Sequence, residues 1–387
     1  MRELNLIKPG HIDWVEKPDP VLVDPADALV RPFVASRCDG DALPLHLHGL
    51  KHRAMQAAMR SGAIDPSVAD IIGKDPFAGP FGIGHEAIAQ VTAVGEAVTD
   101  MRVGDVVVVP WAVSCGTCYE CRLGLTAKCS TFVPTSPGKT LSCFGFGPTS
   151  GSWGGVISDT LRIPYADHRL VRVPDGVDPL RVASAGDNLT DAWRGVAPTL
   201  AQRPGGLVIV IGGGAQSIGL YSAGLAALLG AERVDYFDDR DSRLEVAESF
   251  GAKVHKIVGA RRRSLMPRIE QRYDVAVEAS STGQGLRDAL RALRPGGICT
   301  GNGYYLGTNT LLPVMDMYAT SATLQVGVSH VRPHLPEMLD FIARTGFEAE
   351  RVTSLLADWD DAVEAYPAHT TKVVLHRAPL DAPPAAG

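Results

Sequence analysis

The spacing of apolar and polar positions changes character part-way along the chain. Up to about residue 186 the apolar residues fall in short runs, such as AIAQVTAVGEAV at 87–98 and GDVVVVPWAV at 104–113, separated by Gly and Asp. Short runs bounded by turn residues predict a β-rich region. One stretch breaks the pattern. KHRAMQAAMRSGAIDPSVADIIG at 51–73 places Met55, Ala58 and Met59 at helical spacing and predicts helix.

From about residue 187 strand-like and helix-like segments alternate. LVIVIGGG at 207–214 is an apolar strand running into glycines, and IGLYSAGLAALLGA is the helix that follows. RVDYFDD (233–239) and YDVAVEAS (273–280) read as further strands, RLEVAESFGA as a helix, and GLRDALRALRPGG as a helix with a glycine stop before the strand ICTGNG. Alternation of this kind predicts a doubly wound parallel sheet. Short pieces return after about residue 330 and end in the strand TKVVLHR. The fold class is therefore α/β. A β-rich domain takes residues 1–186 and 331–387, and a doubly wound domain takes 187–330.

Length and composition agree with this plan. A chain of 387 residues with 45% hydrophobic and 21% charged residues suits two globular domains. Lys+Arg is 37 against Asp+Glu 43, a net charge of −6, which weighs against a nucleic-acid partner. No run of about 18 apolar residues is present to span a membrane. The N-terminal MRELNLIKPGHIDWVEKPDP has no apolar core of a secretory signal, so a cytoplasmic protein is expected.

Chemistry enters through three constellations. The first is CGTCYECRLGLTAKC, which sets Cys115, Cys118, Cys121 and Cys129 in a C-x2-C-x2-C-x7-C array. Four thiolates so close can complete a tetrahedral shell and leave no position for substrate, so the spacing predicts a structural zinc in a lobe at about 112–130. The competing reading is four free thiols on a loop.

The second is the glycine loop IGGGAQSIG, between a strand and a helix, as a pyrophosphate site requires. Gly212 and Gly214 are followed by four residues before Gly219, so the strict GxGxxG spacing is absent. Asp238, at the end of the next strand, strengthens the reading. A carboxylate there accepts from ribose hydroxyls and repels a 2′-phosphate, which favours NAD over NADP. Asp239 adds to that repulsion and Arg240 partly offsets it.

The third is scattered: Cys38 in SRCDGD, His85 in GIGHEA and Asp187 in SAGDNLTDAW. A Cys, a His and a carboxylate can form a zinc site with one open position. Spacing alone does not bring them together.

Taken in order, GHE at 84–86, the four-cysteine array, the strand–glycine-loop–helix with Asp238, DVAVEAS…LRPGG and the closing TKVVL resemble the zinc-dependent medium-chain dehydrogenase/reductases, the alcohol dehydrogenase family. The resemblance runs from about residue 24 to 377. SAGDNLTDAWRG is most similar to the glutathione-independent formaldehyde dehydrogenases, in which an aspartate replaces the more usual third ligand. The resemblance implies a GroES-like catalytic domain, a Rossmann domain inserted into it, and two Zn2+ per chain.

It also implies roles. Cys38, His85 and Asp187 hold a catalytic zinc, with Glu86 just behind it. Asp41 fixes the His85 tautomer. Cys115, Cys118, Cys121 and Cys129 hold the structural zinc, and Lys372 contacts the cofactor pyrophosphate. The implied reaction is hydride transfer between NAD(H) and a small alcohol or carbonyl substrate. A homodimer or homotetramer is implied as well.

Departures from the family pattern lie close to the first ligand. After Cys38 comes Asp39-Gly40-Asp41-Ala42-Leu43. Gly40 lacks the hydroxyl that passes a proton outward, and Leu43 stands where the family often has His. Asp39 occupies a usually basic or neutral position. Asp191 stands where Thr is common and is a candidate acid/base. The extra length at 44–80, with His46, His48 and His52, is a candidate substrate lid. Two other functions therefore remain open at this point: a reductase of iminium or conjugated C=C bonds, and a catalytically degraded cofactor-binding homologue. Trp111 and Trp153 are candidate pocket walls, with core packing the competing role. Cys143 and Cys299 read as buried small hydrophobes.

Overall fold

The computed structural model of the chain describes residues 1–132, 140–258 and 264–380. Backbone contacts divide it into two compact units, Met1–Asp187 with His330–Ala343 and Thr353–Gly387, and Asn188–Ser329 with Arg344–Val352. The stretch Arg344–Val352 thus sides with the second unit, although the sequence groups it with the first. Phe347 explains this, because its ring packs on Phe250 with centroids 5.3 Å apart and fills the space beside Gly224.

Among the described residues the first unit contains a seven-stranded sheet and a three-stranded sheet. The larger runs Leu355–Asp358, Val373–His376, Ala28–Ser36, Glu86–Val94, Val106–Val109 and Val171–Arg172, with Leu161–Ile163 also on Ala28–Ser36. One register matters for function. Ala28–Ser36 and Glu86–Val94 are antiparallel with Ser36 opposite Glu86. The residues just outside that pair, Cys38 and His85, therefore emerge at the same end of the sheet.

The second unit carries a parallel sheet of six strands among the described residues, in the order Lys253–Lys256, Arg233–Asp238, Leu207–Ile211, Tyr273–Glu278, Leu293–Gly301 and Thr323–Val326. Numbered along the chain this is 3-2-1-4-5-6, the doubly wound order of a Rossmann sheet. The first strand ends at the glycine loop, beside the point where the strand order reverses. Valine and isoleucine at 208–211 are almost wholly buried, as expected of a strand covered on both faces. The junction before the fifth strand differs from the expected glycine stop: helix ends at Arg291 and strand begins at Leu293, ahead of the glycines.

The 44–80 insertion holds two main helices rather than one, Gly49–Arg60 and Ser67–Ile72. Gly62 at φ +75° ends the first, and the Asp65 carboxylate accepts from the Ser67 amide at 2.9 Å to start the second. Met55 and Ile72 face inward, and Thr149 Oγ1 donates to the Ile71 carbonyl at 2.6 Å. The ring of His48 packs over Gly10, and His52 Nε2 lies 3.1 Å from the Pro76 carbonyl. Among the described residues no helix is long and apolar enough to cross a membrane.

Candidate active site

The register described above delivers the first two donors, and a glycine delivers the third. The Trp111 amide donates to the Gly186 carbonyl at 3.0 Å, and a Cβ on Gly186 would lie 2.6 Å from the Val109 carbonyl. Only a residue without a side chain lets this segment lie on the sheet, and Asp187 follows it directly. Ser184 Oγ is 2.7 Å from Ser36 Oγ and ties the same segment to the strand.

The result is a cluster in which Cys38, His85 and Asp187 offer ligand atoms all within 4.8 Å of one another, every one of them buried. Cys38 Sγ lies 3.2 Å from Asp187 Oδ2, and His85 Nε2 lies 3.4 Å from the same oxygen. On the other face of the ring, Asp41 Oδ1 is 3.4 Å from His85 Nδ1, and Tyr366 donates its hydroxyl to Asp41 Oδ2 at 2.6 Å. Burial pushes the Cys38 thiol up, and the Asp187 carboxylate adds to the rise. Burial also works against the imidazolium of His85, but Asp41 and Cys38 outweigh it and hold that ring well above its usual range. A buried thiol, imidazole and carboxylate converging in this way suit Zn2+ as a catalytic donor set.

Behind them, Glu86 and Lys372 form a fully buried pair with Nζ 2.8 Å from Oε2. Ser36 also donates to Glu86, and Lys372 donates to the Arg37 carbonyl at 2.8 Å. Burial raises the Glu86 carboxyl and Lys372 opposes that rise. Lys372, expected to meet a cofactor pyrophosphate, is buried in this pair. Aromatic rings flank the cluster. Phe146 lies 5.0 Å and Trp111 6.3 Å from the His85 ring. Trp153 packs edge-on to Phe132 at 5.1 Å and beneath Arg162. Sequence reading missed Phe146, because one Phe among glycines carries no pattern.

The four-cysteine lobe also closes. Cys115, Cys118, Cys121 and Cys129 bring their sulfurs within 4.8 Å of one another, and none is in a disulfide. Backbone amides of Thr117 and Cys118 donate to Cys115 Sγ at 3.4 and 3.3 Å, and the Cys115 amide donates to Cys129 Sγ at 3.3 Å. Such donors favour thiolates. Burial disfavours the Cys115 thiolate, yet Thr131 and Thr117 outweigh it and bring the thiol down to about 6. Gly116, at φ +79°, allows the turn, and a Cβ there would strike the His168 ring at 2.6 Å. The lobe fits a tetrahedral zinc.

In the second unit the glycine loop is packed so tightly that side chains are excluded. A Cβ on Gly212 would lie 2.5 Å from Asp238 Oδ2, and one on Gly214 would overlap Ser281 Oγ. Gly219 lets the helix Gln216–Leu228 approach Ala279, at 3.4 Å from where its Cβ would be. This is the close strand–loop–helix packing that a dinucleotide pyrophosphate requires. Asp238 itself is fully buried and held by Arg243, with Nε 2.9 Å from Oδ2 and Nη2 2.6 Å from Oδ1.

Comparison with known proteins agrees with both halves. The profile of the alcohol dehydrogenase GroES-like domain matches residues 25–175, and that of the zinc-binding dehydrogenases matches 217–344. The medium chain reductase/dehydrogenase ucsI of Acremonium sp is 32% identical over 56% of this chain and 72% of its own length. The chain belongs to the zinc-dependent medium-chain dehydrogenase/reductase family. The "Probable zinc-binding alcohol dehydrogenase Rv1895" of Mycobacterium tuberculosis is 26% identical over 95% of this chain and 84% of its own length. The solved alcohol dehydrogenase TADH of Thermus sp. ATN1 superposes with a TM-score of 0.79 at 28% identity, covering 97% of this chain and 99% of that one.

As a zinc-dependent medium-chain dehydrogenase/reductase, the chain is an oxidoreductase of the alcohol dehydrogenase family. Its unusual residues can then be placed. Gly40 lies in the short turn Asp39–Asp41, and its amide donates to Cys38 Sγ at 3.3 Å. Asp191 is buried at the start of the helix Asn188–Gln202, paired with Arg194 and accepting from Asn302 Nδ2 at 2.7 Å. His46 stacks on His369 with ring centroids 4.0 Å apart.

Proposed function

We propose that this protein is a zinc-dependent dehydrogenase that moves a hydride between NAD(H) and an alcohol or carbonyl of a small molecule. One observation carries the reading: Cys38, His85 and Asp187 converge within 4.8 Å in a buried cluster backed by Asp41. When bound, zinc supplies Lewis acidity toward a substrate oxygen and the nicotinamide supplies the hydride acceptor.

The chain's own residues supply position and electrostatics. Asp41, held by Tyr366 and 3.4 Å from Nδ1, favours the His85 proton on Nδ1 and so leaves the Nε2 lone pair for a metal. Glu86 places negative charge behind the cluster, and Lys372 keeps that charge from being stranded. Phe146 and Trp111 give an apolar wall beside His85 that orients a substrate and excludes water. The Cys115–Cys129 lobe holds the second zinc in a structural role. Homo-oligomeric assembly and a cytoplasmic setting belong to the same reading, supported by the family resemblance.

Gly40 favours a second reading, reduction of iminium or conjugated C=C bonds, because it brings no hydroxyl to the turn after Cys38. A screen of the zinc-loaded protein separates the two. Alcohols are offered with NAD+, and aldehydes, ketones, imines and enals with NADH. Turnover on carbinols or carbonyls upholds the first reading. Turnover confined to imines or enals replaces it with the second.

A further inference from the structure

We propose that Arg169 is the counter-charge of the four-cysteine lobe, a buried cation that offsets the charge of a zinc–tetrathiolate centre and sets how tightly the lobe holds its metal. The proposal rests on the reading that Cys115, Cys118, Cys121 and Cys129 bind zinc. It is independent of the reaction at the Cys38 cluster.

Arg169 is 0% exposed, and an arginine is almost never fully buried without a paired acid. Here Nη2 donates to the Pro110 carbonyl at 3.3 Å, while Nε and Nη1 have no hydrogen-bond partner among the described residues. The guanidinium lies over the Phe144 ring, with Cζ 4.9 Å from the centroid. An aromatic face attracts a cation without cancelling its charge. Burial lowers the Arg169 guanidinium, and among the described residues Cys129 is the acidic group that works against that fall.

The fold sets this cation against the lobe. Arg169 ends the short helix Ala166–Arg169. The neighbouring His168 ring fills the space over Gly116, in the turn between Cys115 and Cys118, and its Nε2 is 3.1 Å from Ser114 Oγ. Burial brings that ring down to about 4, helped by Arg332 and Arg169, so His168 carries no charge at neutral pH. Other nearby cations are placed differently. Arg162 is paired with Asp27 at 2.9 Å, and Arg122 is exposed to a solvent that screens it. Lys128 donates to the Thr140 carbonyl at 3.1 Å, and its charge faces Cys143. Arg332, partly exposed, donates to the His168 carbonyl.

Four thiolates and one Zn2+ carry a net charge of about −2. The amides that donate to Cys115 Sγ and Cys129 Sγ offset part of it as dipoles. A full positive charge beside Cys129 offsets more, because the interior screens it poorly. Each buried charge therefore lowers the cost of burying the other.

The test is chelator titration of the zinc-loaded full chain. Protection of the four cysteines from iodoacetamide, read peptide by peptide, reports lobe zinc separately from zinc at the Cys38 cluster. The neutral variants Arg169→Met and Arg169→Gln are expected to lose protection at about 10–100-fold lower chelator concentration. Arg169→Lys keeps the charge and is expected to stay within about threefold of the wild type. A packing role predicts the opposite sign, since removing an unpaired buried charge stabilises the fold and leaves zinc in place. Wild-type protection in either folded neutral variant therefore overturns the proposal. So does a loss of about tenfold or more in Arg169→Lys, which decides the question by itself if neither neutral variant folds. If the wild-type cysteines alkylate freely after zinc loading, the zinc reading of the lobe falls and takes the proposal with it.

Discussion

Lys372 Nζ lies 2.8 Å from Glu86 Oε2, and neither side chain has any exposed surface. Glu86 begins the strand on one side of Ala28–Ser36 and Lys372 immediately precedes the strand on the other, so the pair ties the neighbours of that strand together beneath the Cys38–His85–Asp187 cluster. Removing one partner strands the other charge in the interior. Lys372→Met is expected to cost about 3–5 kcal/mol of stability, and Lys372→Met combined with Glu86→Gln is expected to recover most of it. Urea denaturation of the three proteins checks this. Equal losses in the single and double variants would show that the pair is not coupled.

Zinc content separates the two metal sites. Metal analysis of the wild type is expected to give about two zincs per chain, falling to about one in Asp187→Asn and to about one in Cys121→Ser. The variants differ in stability. Cys121→Ser opens the lobe and lowers the unfolding midpoint, whereas Asp187→Asn leaves the lobe intact. Two zincs retained in Asp187→Asn would remove that residue from the donor set.

Asp41 acts through His85. Asp41→Asn loses the carboxylate that fixes the ring proton and is expected to weaken zinc at the Cys38 cluster by about 10–100-fold. Tyr366→Phe removes only one hydrogen bond to Asp41 and should weaken it less. Chelator competition at equilibrium measures both without any turnover assay. A larger effect in Tyr366→Phe than in Asp41→Asn contradicts this order.

A separate cluster in the second unit predicts a pH dependence. Burial would raise the Asp235 carboxyl, but hydrogen bonds from His255, Arg233 and Tyr273 outweigh it and bring it down to about 2. His255 Nε2 is 2.5 Å and Tyr273 hydroxyl 2.9 Å from the carboxylate. A carboxyl lowered on folding stabilises at pH above its unfolded value, and the gain is lost as pH falls from about 4 toward 2. Asp235→Asn is therefore expected to cost about 2 kcal/mol at pH 7, and the difference from wild type should shrink as the pH approaches 2. Chemical denaturation at both pH values reads it. A constant difference across that range would rule out the carboxylate as the cause.

Much of this protein is legible in the linear chain because the features concerned are local. Alternating strand and helix patterns mark the doubly wound sheet, since periodicity reflects which face of an element is buried. The four cysteines fall within one loop, so their spacing alone predicts that they converge. The glycine loop is similarly self-contained, and its glycines are required where the chain must pass within contact distance of Asp238 and Ser281.

What only the tertiary structure decided depends on residues far apart in sequence. The meeting of Cys38, His85 and Asp187 follows from the register of Ser36 against Glu86 and from the closeness of Gly186 to Val109. The partners of charged residues are decided the same way. Lys372 turns inward to Glu86, and Asp41 is held by Tyr366, 325 residues on. Hydrophobic pattern specifies which residues are buried, but a buried charge must find its partner in three dimensions. That pairing is set by how strands and helices pack, which no stretch of local sequence contains.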